Sequence, residues 1–148
     1  QSLPAATRFV VLTNWGSQAV LDKETGLVWE RSPSIATFKW QNDIDPTLSA
    51  RRHCTALITG GRKGWRLPSI PELASLIDPS VASPGPTLPV GHPFLTVQSA
   101  NYWSASTLAD GPPFAWGVLF GLGDVSGLNK TLSSHAWCVR GGMNADQY

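Results

Sequence analysis

Three histidines, two cysteines and seven tryptophans are the residues of this 148-residue chain whose types could carry chemistry. His53 stands next to Cys54, the pairing that in a thiol enzyme activates the sulfur. On a helix, neighbouring residues point about 100° apart, so the two make a poor dyad. His92 lies in Gly91-His92-Pro93, which has loop chemistry, and His135 precedes the final β-rich run. None of the three stands in a pattern of nucleophile, base and orienting group. There is no Cys-x-x-Cys and no paired His/Cys spacing of the kind zinc uses. The expectation is a non-enzymatic domain with no metal and no cofactor.

Polar side chains offer more as a recognition surface. Leu108–Pro113 together with Ser126–His135 carries Asp110, Asn129, Lys130, Ser133, Ser134 and His135. These are adaptable groups on segments that a sheet would hold in place. Arg51, Arg52, Lys63, Arg62 and Arg66 follow one another with no acid between them. This run reads either as a solvated helix face with its loop or as a patch for an anionic polymer. The charge is uneven along the chain: residues 1–66 hold nine Lys/Arg against five acids, and residues 67–148 hold two against five. The whole chain carries only +1, so a nucleic-acid partner is not expected.

The elements that must position these groups are short. Gly 14 and Pro 12 in 148 residues predict a turn-rich fold, and 42% hydrophobic content supplies a core. Arg8–Leu12 is a short β-rich run. Gln18–Asp22 and Leu27–Glu30 flank Lys23-Glu24-Thr25-Gly26 and predict a hairpin. Asp45 as N-cap and Pro46 at the first position start a helix over 46–59, with Ala50, Cys54, Leu57 and Ile58 as its apolar stripe and Gly60-Gly61 as its stop. Ser69-Ile70-Pro71-Glu72 is a capping box opening a second helix over 70–77, with Leu73, Leu76 and Ile77 inward. Five prolines between Pro79 and Pro93 exclude a helix or a central strand there. From 101 to 142 the chain is β-rich, with Trp116, Val118 and Phe120 alternating and Ala136–Arg140 as a closing strand. Strands, two helices, a long loop and then strands predict an α+β fold with antiparallel sheet, in one domain spanning 1–148.

Cys54 and Cys138 both fall in predicted core elements. They read either as a disulfide closing a loop of about 85 residues or as two buried free thiols. The most apolar stretch, Ala115–Gly123, contains three glycines and is far short of the ~20 residues that span a bilayer. No membrane insertion is expected. The sequence opens on Gln1, which fits a removed secretion signal or a trimmed segment alike.

Several blocks together are more specific. They are Asp22-x-x-Thr25-Gly26-Leu27-x-Trp29, Cys54-x-x-Leu57-x-x-Gly60-Gly61, Trp65-Arg66-Leu67-Pro68 leading to Glu72-Leu73 and Leu76-Ile77-Asp78, Tyr102-Trp103-Ser104-x-Ser106, Trp116-x-Val118-x-Phe120-x-x-Gly123 and Cys138-Val139-Arg140-Gly141-Gly142. In this set, covering about residues 8–142, the chain resembles the family typified by the C-terminal domain of the Legionella collagen-like protein. The resemblance implies a C-type-lectin-like fold: two helices, small antiparallel sheets and a long irregular loop region. It also implies a disulfide from helix to last strand, Cys54 to Cys138. The role it implies is a secreted, extracellular or cell-surface binding module, with a periplasmic place also open.

The chain departs from the calcium-dependent lectins, whose acidic-Pro-Asn and Trp-Asn-Asp triplets it lacks. Its acids Asp78, Asp110, Asp124 and Asp146 are scattered, whereas Ca²⁺ takes six to eight oxygens. Formylglycine-generating enzymes share a distant version of the fold and need a working cysteine, which a disulfide would remove. Trp29, Trp65, Trp103 and Trp116 fall in the family blocks and read as core; Trp15, Trp40 and Trp137 are less constrained. If Cys138 faces inward, strand alternation turns Trp137 outward as a candidate for sugar stacking or protein contact, unless a loop covers it. The partner is expected to be a glycan or a surface protein. A self-assembling homo-oligomer or polymer, as in a surface fibre, layer or adhesin, is the alternative, because low charge density lowers the barrier to self-contact.

Overall fold

The computed structural model describes residues 3–41 and 44–141; Gly142 and Asp146, singled out above, lie outside them. The chain opens with a four-residue helix that the sequence reading missed, α1 (Ala5–Arg8), running directly into β1 (Phe9–Val11). β2 (Ala19–Asp22) and β3 (Leu27–Glu30) then form the expected hairpin in the register Ala19 to Glu30 through Asp22 to Leu27. Its turn is closed by Asp22, whose carbonyl accepts from Gly26 N and whose carboxylate accepts from Glu24 N. The same fully buried carboxylate receives Arg8 in a two-point pairing, Nε to Oδ1 at 2.9 Å and Nη2 to Oδ2 at 2.8 Å. Two parallel charge-assisted bonds make this the geometry in which a buried pair is tolerated.

β4 (Thr37–Lys39) precedes a helical region shorter than the spacing predicts. Asp45 accepts from Thr47 N, but the residues after it, Pro46–Leu48, form only a 3₁₀ turn. The helix itself, α2 (Ala50–Thr55), is capped by Ser49, whose hydroxyl accepts from Arg52 N. A backbone bridge from Ser49 to Lys39 holds the chain extended there and delays the helix start. Ala50 and Cys54 are fully buried, Leu57 is half-buried, and Ile58, past the helix end, is exposed. The backbone turns left-handed at Gly60, where a Cβ would stand 3.1 Å from the Trp15 ring. α3 (Ile70–Ala74) has the predicted capping box, with Glu72 N donating to Ser69 Oγ and Ser69 N to Glu72 Oε1. Leu76 and Ile77 continue its buried face on a following turn.

The proline-rich loop is without helix or strand, as expected, yet fastened. Thr87 donates both N–H and Oγ1 to Phe120 O, Leu95 N donates to Arg31 O, and Leu88 and Phe94 enter the core. The chain then runs through β5 (Asn101–Leu108), β6 (Gly111–Leu119), β7 (Asp124–Asn129), β8 (Ser133–His135) and β9 (Val139–Gly141). The fold is α+β, with few helices. One sheet is antiparallel in the order β1-β2-β3-β9; the other runs β4-β8-β5-β6-β7. The second sheet is mixed rather than purely antiparallel, because β8 meets β5 in parallel at Tyr102 and His135. Gly117 sits where a Cβ would be 2.7 Å from Tyr102 O, so the β5–β6 approach requires a residue without a side chain.

The predicted closing strand over 136–140 is divided. Ala136–Cys138 leave one sheet for the other, and only Val139–Gly141 pair, with β3. Trp137 and Cys138 do point to opposite sides, but both sides are core. Trp137 packs with Trp29, Phe94, Tyr102 and Phe120, whereas Cys138 packs with Trp15, Trp40, Trp65 and Trp103. Trp137 is therefore fully buried and not the outward contact that alternation on a surface strand predicts. Its Nε1 donates to Glu30 O at 2.9 Å. Of the tryptophans expected inside, Trp29, Trp65 and Trp103 are buried and Trp116 is half-buried.

Cys54 and Cys138 are joined, with Cα atoms 5.4 Å apart across 84 residues of sequence. Closing a loop of that length stabilises the folded state by roughly 4–5 kcal/mol in the chain-entropy model. Replacing both cysteines (Cys54→Ser with Cys138→Ser) should lower the unfolding free energy by that order. Urea titration of the two proteins checks it; a loss under about 1 kcal/mol would contradict this account of the bridge.

Candidate ligand-binding surface

Two cationic centres stand over the indole of Trp40, Lys130 Nζ at 4.1 Å from the ring centroid and Arg51 Cζ at 5.0 Å. Each is within cation–π range. Trp40 is placed just after β4, and its Nε1 donates to Ser104 O on β5 at 2.8 Å, which fixes the ring edge. Arg51 comes from the first turn of α2 and Lys130 from the turn after β7. The ring covered by these two cations is only 5% exposed. Beside it opens a groove of about 350 Å³ lined by Trp40, Thr47, Ser49, Arg51, Arg52 and Thr55, among others. Two surfaces that were separate in the sequence, the Arg51 run and the Asn129–Lys130 segment, thus meet at one aromatic ring. Trp40 itself was not assigned to that site from sequence; its neighbours Phe38 and Lys39 mark only a short β run.

The other predicted residues divide. Arg52 lines the groove. Arg66 is committed elsewhere, in a two-point pairing with Glu72 (2.7 and 2.9 Å) and a bond to Gly141 O. Arg66 and the two serine-cap bonds hold the Glu72 carboxyl below its ordinary range despite partial burial. Arg62 lies over Trp15 at 4.0 Å together with Arg140 at 5.4 Å, and Arg140 Nε donates to Lys63 O. The predicted anionic-polymer patch is therefore two clusters and one internal ion pair rather than one face.

Asn129 spends its side-chain oxygen on Thr131 N and Thr131 Oγ1. Ser133 is exposed on β8, opposite Lys39, and Asp110 is exposed in the β5–β6 turn. Ser134 is buried on the inward side of β8, and His135 is half-buried and stacked on Tyr102 at 5.1 Å. With Trp137, these two cannot act as the exposed contacts the sequence suggests, because β8 is sandwiched between β4 and β5.

A family model described as the Lcl C-terminal domain matches residues 18–140. The chain belongs to that family. No curated protein matches the chain.

Another cluster lies inside this Lcl C-terminal domain. Glu30, His53 and Cys138 bring one ligating-type atom each within 4.8 Å of one another. The Cys138 sulfur is already bonded to Cys54, so this trio lacks the thiolate a metal would take. Glu30 Oε1 accepts from Cys138 N at 2.8 Å. Burial pushes the Glu30 carboxyl up to about 7, the Cys138 N–H opposing this only in part. Burial also lowers His53, whose Nε2 is enclosed without a hydrogen-bond partner among the described residues and whose ring stacks on Phe38 at 4.5 Å.

Glu30 is easier to bury protonated than ionised, so its contribution to stability is complete below its ordinary value of 4.5 and is lost as pH rises through about 7. The loss is on the order of 3 kcal/mol. The lowered histidines His53, His92 and His135 act oppositely, losing stability as pH falls below 6.5. Glu30→Gln keeps an acceptor for Cys138 N and isolates the first effect. Its stability relative to the parent should rise between pH 4.5 and 8, as read by urea unfolding; a difference that does not change with pH would exclude the raised carboxyl.

Proposed function

We propose that this domain is a non-catalytic binding module, secreted or displayed at the cell surface, that recognises an anionic glycan through the Trp40 groove. The observation that carries the reading is the placement of Arg51 and Lys130 on one buried indole, with Arg52 beside them. An aromatic base under two cations sets their spacing and leaves their outer N–H groups for sulfate or carboxylate. The rigid setting lowers the ordering entropy that long basic side chains otherwise lose on binding. Thr47, Ser49 and Thr55 add neutral polar groups to the groove.

The display role is supported by the buried Cys54–Cys138 bridge, a bond that persists in oxidising compartments. We read the scaffold as C-type-lectin-like, on the strength of a helix joined by disulfide to the closing segment and a long fastened loop between helices and late strands. A non-enzymatic role is favoured by the histidines, each occupied by stacking or partial burial: His53 on Phe38, His92 on Phe94 and His135 on Tyr102.

Self-assembly is the second reading, favoured by β7. It ends its sheet, pairs only with β6 among the described residues, and carries exposed Val125 beside exposed Leu122. Such an edge is open to another strand. Light scattering across a concentration series separates the two readings, since a monomer at every concentration removes this one.

Lys130→Ala and Arg51→Ala should each weaken binding to a sulfated glycan such as heparin about fivefold, ~1 kcal/mol per cation. Lys23→Ala, on the β2–β3 turn, should leave it unchanged, and added salt should weaken the parent. Calorimetry at two salt concentrations reads all of these. Failure of the parent to bind any sulfated or acidic glycan at low salt overturns the proposal.

A further inference from the structure

A second cavity, of about 210 Å³, shares no lining residue with the Trp40 groove. It opens where the residues before β2 and the end of β3 meet the turn after α2 and the fastened loop. Glu30 lines it, is only 5% exposed, and takes part in no ion pair among the described residues. Next to it Arg31 donates Nε to Pro93 O at 3.1 Å and lies 3.5 Å from Ser17 O through Nη1, which leaves Nη2 uncommitted to any described residue. Gln18 gives its oxygen to Gly60 N at 2.8 Å, so its amide hydrogens remain as donors.

The hydroxyls are similarly set. Thr96 Oγ1 donates to Pro33 O at 2.8 Å, so in its 2.9 Å contact with Ser32 Oγ the serine is the donor. Ser32 can then only accept from outside. The Ser17 and Thr59 hydroxyls line or adjoin the cavity and have no hydrogen bond to another described residue, and Leu95 gives one apolar wall. Ser17 (φ 59°) and Thr96 (φ 58°) are the two non-glycine residues in the left-handed region among those described. Both sit at this cavity or next to its wall. Such backbone strain is costly, most of all for a β-branched residue, and its concentration at one place marks a built feature rather than a loose surface.

We infer that this cavity binds one neutral, polyhydroxylated ring of monosaccharide size. A cation would meet Arg31, and an anion would share the cavity with the Glu30 carboxyl, whose ionised form opposes it. An apolar ligand would leave the carboxyl, guanidinium and amide desolvated without partners. Hydroxyl groups both donate and accept, and so satisfy Glu30, Arg31, Gln18 and the three hydroxyls together, with the ring's carbon-bound hydrogens against Leu95. The volume is below the ~300 Å³ at which drug-sized pockets begin, which limits the occupant to a single ring. The inference is independent of the anionic-glycan reading.

The test is ¹⁵N–¹H titration of the oxidised protein with glucose, galactose, mannose and N-acetylglucosamine, each to about 50 mM, enough to saturate a site of millimolar Kd. At least one sugar should shift the amides of residues 17–18, 30–32, 59 and 95 saturably. Leu95→Trp, which fills the cavity from its exposed wall, should abolish the shifts. Glu30→Gln should weaken the affinity about tenfold while leaving the fold intact. Arg51→Ala, in the other groove, should change nothing here even if heparin binding is lost. Absence of saturable shifts with all four sugars overturns the inference, as does binding that survives Leu95→Trp. Should Leu95→Trp not fold, Thr59→Gln serves as the blocking variant.

Discussion

Residues 136–138 have to bury both of their faces. The segment carries the chain from the mixed sheet to the antiparallel one, and apolar clusters press on it from either side. Trp137 supplies the ring that Trp29, Phe94, Tyr102 and Phe120 pack around. Cys138 supplies the sulfur that reaches α2. A backbone enclosed in this way must find internal partners for its polar groups. It does so on β3: Cys138 N donates to Glu30 Oε1, Glu30 N donates to Cys138 O, and Trp137 Nε1 donates to Glu30 O. The buried carboxyl of Glu30 is thus part of how the crossing is satisfied, and its raised proton affinity follows from the enclosure.

Several of the few charged residues are tied to specific partners. Arg8 is consumed by Asp22, and Arg66 by Glu72 and Gly141 O. Four of the remaining cations cover two tryptophans in pairs, Arg51 and Lys130 on Trp40, Arg62 and Arg140 on Trp15. In each pair one member comes from the helical half of the sequence and the other from the late strands. The rings therefore act as joints between the two halves, beside the β3–β9 and β4–β8 pairings that also connect them, and the groove on Trp40 lies at one of these joints.

Much of the fold was legible in the sequence because its signals were local. The β2–β3 hairpin follows from Thr25-Gly26 between two apolar runs, and the α3 capping box from Ser69 and Glu72. The helix over 46–59 was overestimated because Asp45-Pro46 is a valid start for any helical turn; the bridge that holds Ser49 extended is a tertiary contact with no trace in the spacing. Trp137 was misplaced for a related reason. Period-two alternation says which way two neighbours point, but not whether the second side is water or another core. The Arg51–Arg66 run admits both a solvated face and an anion patch in sequence, because adjacency hides that Arg66 turns inward to Glu72 and Arg62 toward Trp15. The meeting of Lys130 with Arg51 spans nearly eighty residues and had no local signal.

A covalent link between positions 54 and 138 carries a consequence for biosynthesis. A chain made from its N-terminus has completed α1, the β2–β3 hairpin and α2 long before its second sulfur emerges. Until then the α2 sulfur has no partner within the domain, and the Trp15–Trp65 side of the core lacks the crossing segment that seals it. Closure of the domain is therefore tied to completion of its last strand rather than spread along translation.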